Sequence, residues 1–209
     1  MEEVVEMGES TKERLLATAK RQFAAKGFYG ASIADIAAEL DITKQALLYH
    51  FKRKEDLYAQ VLAEISEKLL RYVRRAASEE ARPEQQFEAI VLNLYHAAME
   101  NPEDTQILIR EMLDNQSRAD EAHSWYLVPF LDGLVSIVRR APAFRDTPNA
   151  AIFAFIYQVL GSVEYFVISQ TTLKKMYGEE VNESYQNHFP MELQNQIRRF
   201  FKSAGKEKP

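Results

Sequence analysis

The sequence predicts an all-α protein of about nine helices, with a small N-terminal three-helix unit followed by a larger helical body. Three observations predict it. Apolar residues recur at the 3.6-residue spacing of helices along most of the chain. The sustained apolar–polar alternation of strands is missing. Only 7 Gly and 7 Pro occur in 209 residues, mostly at the breaks between periodic segments. The predicted boundaries are 10–54 for the N-terminal unit and 55–203 for the body, with flexible tails at 1–9 and 204–209.

The first helix is predicted to start at Ser10. Glu13 stands three residues on at capping-box spacing, Leu15, Leu16, Ala19 and Phe23 form the apolar face, and Gly27 ends the helix. Ser32 and Asp35 open the second, whose apolar face is Ile33, Ile36, Ala37 and Leu40. The third is short, from Thr43 to about Phe51. The fourth runs from about Lys54 to Ala77, roughly 35 Å at 1.5 Å per residue. Glu55 and Asp56 at its start and Arg71, Arg74 and Arg75 near its end complement the helix dipole. Pro83 suits the first turn of a fifth helix, and Asn101 and Pro102 the start of a sixth that ends near Leu113. A seventh is expected from Ser117 to about Arg140, kinked at Pro129. Thr147-Pro148 starts an eighth, "AAIFAFIYQVLGSVEYFVIS", apolar almost all round. After a loop over "KMYGEEVNES", a ninth runs from near Pro190 to near Ser203.

Composition removes several classes of function. With no cysteine, disulfides, zinc fingers and cysteine nucleophiles are excluded. The four histidines, at 50, 96, 123 and 188, lack metal-ligand spacing, and no phosphate-loop or hydrolase motif occurs. No metal, cofactor or enzymatic activity is therefore expected. The acidic start lacks signal-peptide regions, and no apolar run approaches the roughly 18 residues of a membrane span, so a cytoplasmic protein is expected. The net charge is −5, yet Ser10–Lys54 carries nine Lys/Arg against four acids. A basic module on an acidic body is the electrostatic footprint of a nucleic-acid binder, although a solvated face can show the same imbalance.

Asp41 and Ile42 join the second and third helices in a tight link, the spacing of a helix-turn-helix. At 100° per residue, Leu47 and Phe51 share the inner side of the third helix, with Gln45 and Tyr49 nearly opposite and Lys44, Ala46, Leu48 and His50 flanking them. Each outward group suits DNA. A Gln amide both donates to and accepts from a base edge, and Ala touches a thymine methyl. Lys44 near the helix start meets guanine or phosphate. Tyr49, His50 and Lys54 suit phosphate oxygens, as do the backbone N–H groups at the helix starts at Ser32 and Lys54.

The stretch "GFYGASIADIAAELDITKQALLYHFKRKEDLY", within about residues 10–58, resembles the DNA-binding module of the tetracycline-repressor-like (TetR) family. The rest of the chain resembles that family only in helix pattern and length. The resemblance implies that Ser32 caps the second helix against a phosphate and Thr43 caps the recognition helix. Lys44 and Gln45 meet base edges, Tyr49 and His50 meet bases or backbone, and Lys54 meets phosphate. The chain departs from the family pattern twice. Leu48 stands where a tyrosine is usual, so either Tyr49 takes over a phosphate contact or Leu48 touches a thymine methyl. Ala34 stands where some members have a basic residue, which leaves base reading to the third helix.

One helix-turn-helix reads only half a site, so a homodimer on an inverted repeat is expected. The eighth and ninth helices are the expected interface, through Phe153, Leu160, Val167, Ile197, Phe200 and Phe201. The resemblance implies a four-helix bundle there. A small hydrophobic or amphipathic effector is expected in the body, with Tyr95, His96, Met99, Met112, Trp125, Phe130, Tyr157 and Glu164 as candidates, though each also reads as core packing. Glu164 lies on an otherwise apolar stripe and needs a partner: a cationic ligand, or a group across a dimer. Glu111 poses the same question. The reading is a ligand-responsive repressor of transcription. The alternatives are a DNA-associated protein of the same family without an effector, such as one that organises chromosomes, and an enzyme or carrier on a helical scaffold.

Overall fold

The computed structural model describes residues 2–79, 81–114 and 127–203, with backbone alone for 2–10 and 114. Among the described residues there are nine α-helices and no strand: α1 (Glu2–Gly30), α2 (Ile33–Glu39), α3 (Lys44–His50), α4 (Lys54–Ser78), α5 (Pro83–Glu100), α6 (Glu103–Asp114), α7 (Val128–Arg140), α8 (Asn149–Tyr177) and α9 (Glu179–Ser203), with a short 3-10 turn at Pro142–Phe144. They form two compact units. One holds α1, α2, α3, α4 up to Glu67, and α6; the other holds α4 from Lys68, α5, α7, α8 and α9.

In the first unit, Leu15, Leu16, Ala19 and Phe23 of α1 bury against Ile33, Ile36 and Ala37 of α2, Leu47 of α3, and Leu57, Tyr58, Val61 and Ile65 of α4. Each large aliphatic or aromatic group contributes roughly 1.5–3 kcal/mol by leaving water. Phe23 and Phe28 pack their rings on Tyr58, at 4.8 and 5.0 Å between centroids. α6 packs along α1. Its Arg110 donates to the carbonyls of Ala24 and Ala25 at 2.9 and 3.1 Å, next to the end of the regular α1 turns, where a cation is favoured by the helix dipole. Lys20 pairs with Asp104 at 2.9 Å. Tyr58 donates to the buried Glu111 at 2.7 Å, which gives that carboxylate a partner within its own unit.

In the second unit, α5 is central. Phe87, Ile90, Val91 and Tyr95 meet Leu134, Ile137 and Val138 of α7, Ile152, Phe155, Ile156 and Val159 of α8, and Leu193 and Ile197 of α9. Ring stacking ties α8 to α9: Phe155 on Phe200, and Phe166 on Phe189 at 3.9 Å. Arg198 forks onto Glu88 at 2.7 and 3.0 Å.

Several boundaries differ from the expected ones, each for a local reason. The α1 backbone is already helical through Ser10, which therefore does not occupy the extended conformation of a cap. Gly27 does break the regular helix, at φ 70°. Pro129 does not kink α7; it lies in the first turn, where its missing N–H costs nothing. The expected start at Ser117 lies outside the described residues. The loop expected over "KMYGEEVNES" is a single residue, Gly178, at φ 87°. Its left-handed backbone ends α8, and the acidic pair Glu179 and Glu180 opens α9 at once, leaving Pro190 inside the helix.

α8 also corrects the expectation about span length. It is 29 residues long with a mean hydropathy of 1.7 over 18 residues, enough by length and composition to cross a membrane. Its inner stripe, Ile152, Phe155, Ile156, Val159, Val163 and Val167, is packed into the second unit.

Candidate functional site

α2 and α3 meet through a turn whose left-handed residue is Asp41, at φ 55°, a conformation Asp tolerates better than most residues. The Ile42 N–H returns to the Ala37 carbonyl at 3.1 Å and closes the corner. Both short helices are capped as the sequence indicates. The Ser32 hydroxyl accepts from the Asp35 N–H at 3.0 Å, and the Thr43 hydroxyl accepts from the Ala46 N–H at 3.1 Å. Leu47 is 0% exposed and Phe51 is buried, which fixes the roll of α3 about its axis. Lys44, Gln45, Ala46, Tyr49 and His50 are consequently exposed, and Leu48 is half-buried at their edge. Tyr49 is 88% exposed, its ring edge-on to that of His50 at 5.7 Å. The face combines a cation, an amide, a methyl, a phenol and an imidazole on two helical turns, held by one apolar anchor. Ala34 is exposed on α2 and offers no polar group.

Lys54 is placed otherwise than the sequence suggests. Its ammonium donates to the carbonyls of Phe28 and Ala31 at 2.8 and 3.1 Å and lies 4.3 Å from the centre of the Phe28 ring. It thus fastens the α1–α2 link to the start of α4, with one N–H beyond those two bonds for an anion. Arg53 pairs with Asp56 at 2.9 Å, and that pairing lowers the Asp56 carboxyl below its ordinary range.

The shape of this module is matched by its relatives. Residues 15–61 match the model of bacterial regulatory proteins of the tetR family. Those residues carry the N-terminal module of the tetR family. It is 27% identical over 187 residues, 82% of this chain and 90% of the relative, to a Bacillus subtilis protein described as "Probable HTH-type transcriptional regulator YttP". It is 50% identical over 46 residues to "Uncharacterized HTH-type transcriptional regulator YerO" from the same organism, a match that spans 22% of this chain but only 16% of YerO. The solved structure of the fatty acid degradation regulator FadR from Bacillus halodurans superposes with a TM-score of 0.65 at 13% identity, covering 89% of this chain and 93% of FadR, a likeness of fold. The matched module is one of bacterial regulatory proteins, and both relatives are described as HTH-type transcriptional regulators.

The residues singled out for an effector do not converge on one cavity. Tyr95 and Phe130 are in the core of the second unit. The Tyr95 hydroxyl donates to the Gln186 carbonyl at 2.8 Å, and its ring lies against Phe166 and Phe189. His96 is exposed beside it, and Met99 packs on the core edge. Met112 is exposed on α6, in the other unit, and Trp125 lies outside the described residues. Tyr157 faces outward, stacked on Phe153 at 4.9 Å. Glu164 is partly buried, and desolvation pushes its carboxyl up to about 7.

The residues singled out for a dimer face divide as well. Val167 and Ile197 are buried in the unit's own core, because they share the inner stripes of α8 and α9. Phe200 and Phe201 are half-buried against Phe144, Phe155 and Phe87, and Leu160 is half-buried. Phe153 is exposed. Outward apolar groups of α8 outside the expected set include Tyr165 and Ile168, 74% and 38% exposed, and Met176 and Tyr177 near its end. In a helix apolar all round, periodicity does not say which side meets the protein's own core.

Proposed function

We propose that this chain is a homodimeric, ligand-responsive repressor of the TetR family that reads an inverted repeat, one α3 per half-site. The observation that carries the reading is the outward face of α3: Lys44, Gln45, Ala46, Tyr49 and His50 stand in solvent while Leu47 is fully buried beneath them. Gln45 and Lys44 meet base edges in the major groove, with Ala46 or Leu48 against a thymine methyl. Tyr49, His50 and the remaining N–H of Lys54 meet phosphate, as do the backbone N–H groups beside Ser32 and Thr43. Two half-sites about one DNA turn apart require a second copy, and the uncovered apolar side of α8 supports one. The protein acts in the cytoplasm, where its DNA is.

The effector belongs in the second unit and is small and hydrophobic or amphipathic. An aromatic interior around Tyr95 and Phe166, and the similarity in fold to a fatty acid degradation regulator, FadR, support that class. α4 contributes to both units, so its position links effector to DNA. The effector must bind the DNA-free arrangement better, and DNA then weakens effector binding by the same factor.

Selection of bound duplexes from a random pool tests the reading. A short inverted repeat is expected; recovery of no common sequence would sink it. Against the selected site, Gln45→Ala should lose about 1–3 kcal/mol and relax preference at one base position. Lys54→Ala should weaken all sequences alike and also lower the melting temperature, because it releases the Phe28 and Ala31 carbonyls.

A further inference from the structure

α9 is held by different kinds of contact on either side of Pro190. From Leu193 onward the anchors are apolar and charged. Leu193 and Ile197 are in the core, Phe200 stacks on Phe155, and Gln194 and Arg198 both bond Glu88 of α5. Residues 179–189 fully bury no apolar side chain: Asn182 is buried, and Gln186 and Phe189 are half-buried. This stretch is held by a seam of uncharged polar groups and by one ring stack, Phe189 on Phe166.

Two features of the seam follow from its chemistry. Pro190 has no N–H, so the Gln186 carbonyl four residues earlier lacks the bond a regular helix would give it. Tyr95 of α5 supplies the replacement, its hydroxyl donating to that carbonyl at 2.8 Å. The other feature is an amide oxygen without a donor. Gln170 Nε2 donates to the Phe166 carbonyl at 2.9 Å, which makes Gln170 Oε1 an acceptor. Asn182 Nδ2 and Gln186 Nε2 both donate to that oxygen, at 3.2 and 2.7 Å. Asn182 Oδ1 is thereby turned away, and among the described residues no donor reaches it, although Asn182 is 4% exposed. A buried acceptor without a donor opposes closure, because opening lets water reach it. The stretch before Pro190 is therefore closed by a bond from another helix and works against an unmet one, whereas the stretch after it is locked into the core.

We propose that residues 179–189 are a lid over the aromatic interior of the second unit, hinged at Pro190 and latched by the Tyr95 hydroxyl. Opening lifts Phe189 from Phe166 and Tyr95 and admits a small apolar or amphipathic molecule to their rings. Tyr95 is a positioning residue in this device. The inference rests on the effector reading above and adds the route of entry and its latch.

Hydrogen exchange read by mass spectrometry tests the hinge. In Tyr95→Phe, the amides of 179–189 should exchange about tenfold faster than in wild type, with those of 193–203 unchanged. Adding Pro190→Ala returns an N–H to the Gln186 carbonyl, so the double variant should regain wild-type protection. A Tyr95 that merely packs would show no such rescue. Equal acceleration along all of α9, or no rescue by Pro190→Ala, would overturn the hinge and latch. Access is read separately, since the chain has no cysteine. Val163→Cys, buried on α8 one turn before Phe166, reports entry of dithionitrobenzoate, and Ile152→Cys, buried near the start of α8, is the control. Tyr95→Phe should speed labelling at position 163 about tenfold and leave position 152 unchanged. Unchanged labelling at 163, or equal acceleration at both positions, would overturn the lid as a route of entry. Neither readout uses DNA. A lid that fails beside a recovered inverted repeat is overturned alone, and a lid that passes where no common sequence is recovered overturns the repressor alone.

Discussion

Single residues account for most of the chemistry this protein offers, and Glu164 is the one whose charge the fold opposes. Desolvation raises its carboxyl from the ordinary 4.5 to about 7. In the unfolded chain it ionises from about pH 4.5, whereas in the folded chain it keeps its proton to about pH 7. The folded state therefore binds more protons across that window, and stability falls as pH rises through it. The full shift corresponds to roughly 3 kcal/mol, and partial exposure reduces this to about 2 kcal/mol. Thermal melts of wild type and Glu164→Gln should converge below pH 4.5 and separate by pH 7.5, the variant being more stable. Parallel curves at all pH values would show that the carboxylate is solvated. Thr43 is the opposite case, a small group that the fold uses in full. Thr43→Ala removes the bond to the Ala46 N–H and should cost about 1 kcal/mol in chemical denaturation.

At the scale of elements, close approaches matter more than periodicity. α7 meets α4 at Gly133, where a Cβ would stand 2.8 Å from Val73 Cγ1. Val73 is β-branched and stiff, so it cannot swing aside cheaply. Gly133→Leu should destabilise by about 1–3 kcal/mol despite its better helix propensity, measured by the urea midpoint at constant slope. Unchanged stability would mean that α4 and α7 can part at little cost. α6 carries a second lesson. By sequence it lies deep in the predicted body, yet Asp104, Arg110 and Glu111 bind it to α1 and α4 of the DNA-reading unit. Of these three ties, the Lys20–Asp104 ion pair has its spacing across 84 residues written nowhere in the local pattern.

At the scale of the molecule, charge is distributed against the total. A chain of net charge −5 carries nine Lys/Arg against four acids between Ser10 and Lys54. DNA affinity should therefore depend steeply on salt in spite of the acidic balance, with a log–log slope near −0.9 for each phosphate neutralised. Fluorescence anisotropy between 50 and 200 mM salt should show a loss on the order of a thousandfold for a dimer with six or more phosphate contacts. An affinity flat in salt would leave the basic segment without its proposed role.

The local features were legible because they depend on neighbours a few residues apart. Ser32 and Thr43 cap through bonds to residues three positions on. Leu47 and the outward set from Lys44 to His50 follow from 100° per residue, and helix existence follows from the 3.6-residue period. Even so, local pattern misled at Ser10, where a capping-box spacing lies inside a continuing helix, and at Pro129, where a proline that could kink a helix opens one instead. The sequence by itself thus determined the class of fold, the helix-turn-helix and the chemistry of its outer face. Only the tertiary structure decided that Val167 and Ile197 face inward and Tyr165 and Ile168 outward, that Lys54 fastens the α1–α2 link, and that α6 packs with the N-terminal helices. Those choices depend on apolar surface and charges meeting across tens of residues, and an apolar helix gives no local sign of which side will be covered first.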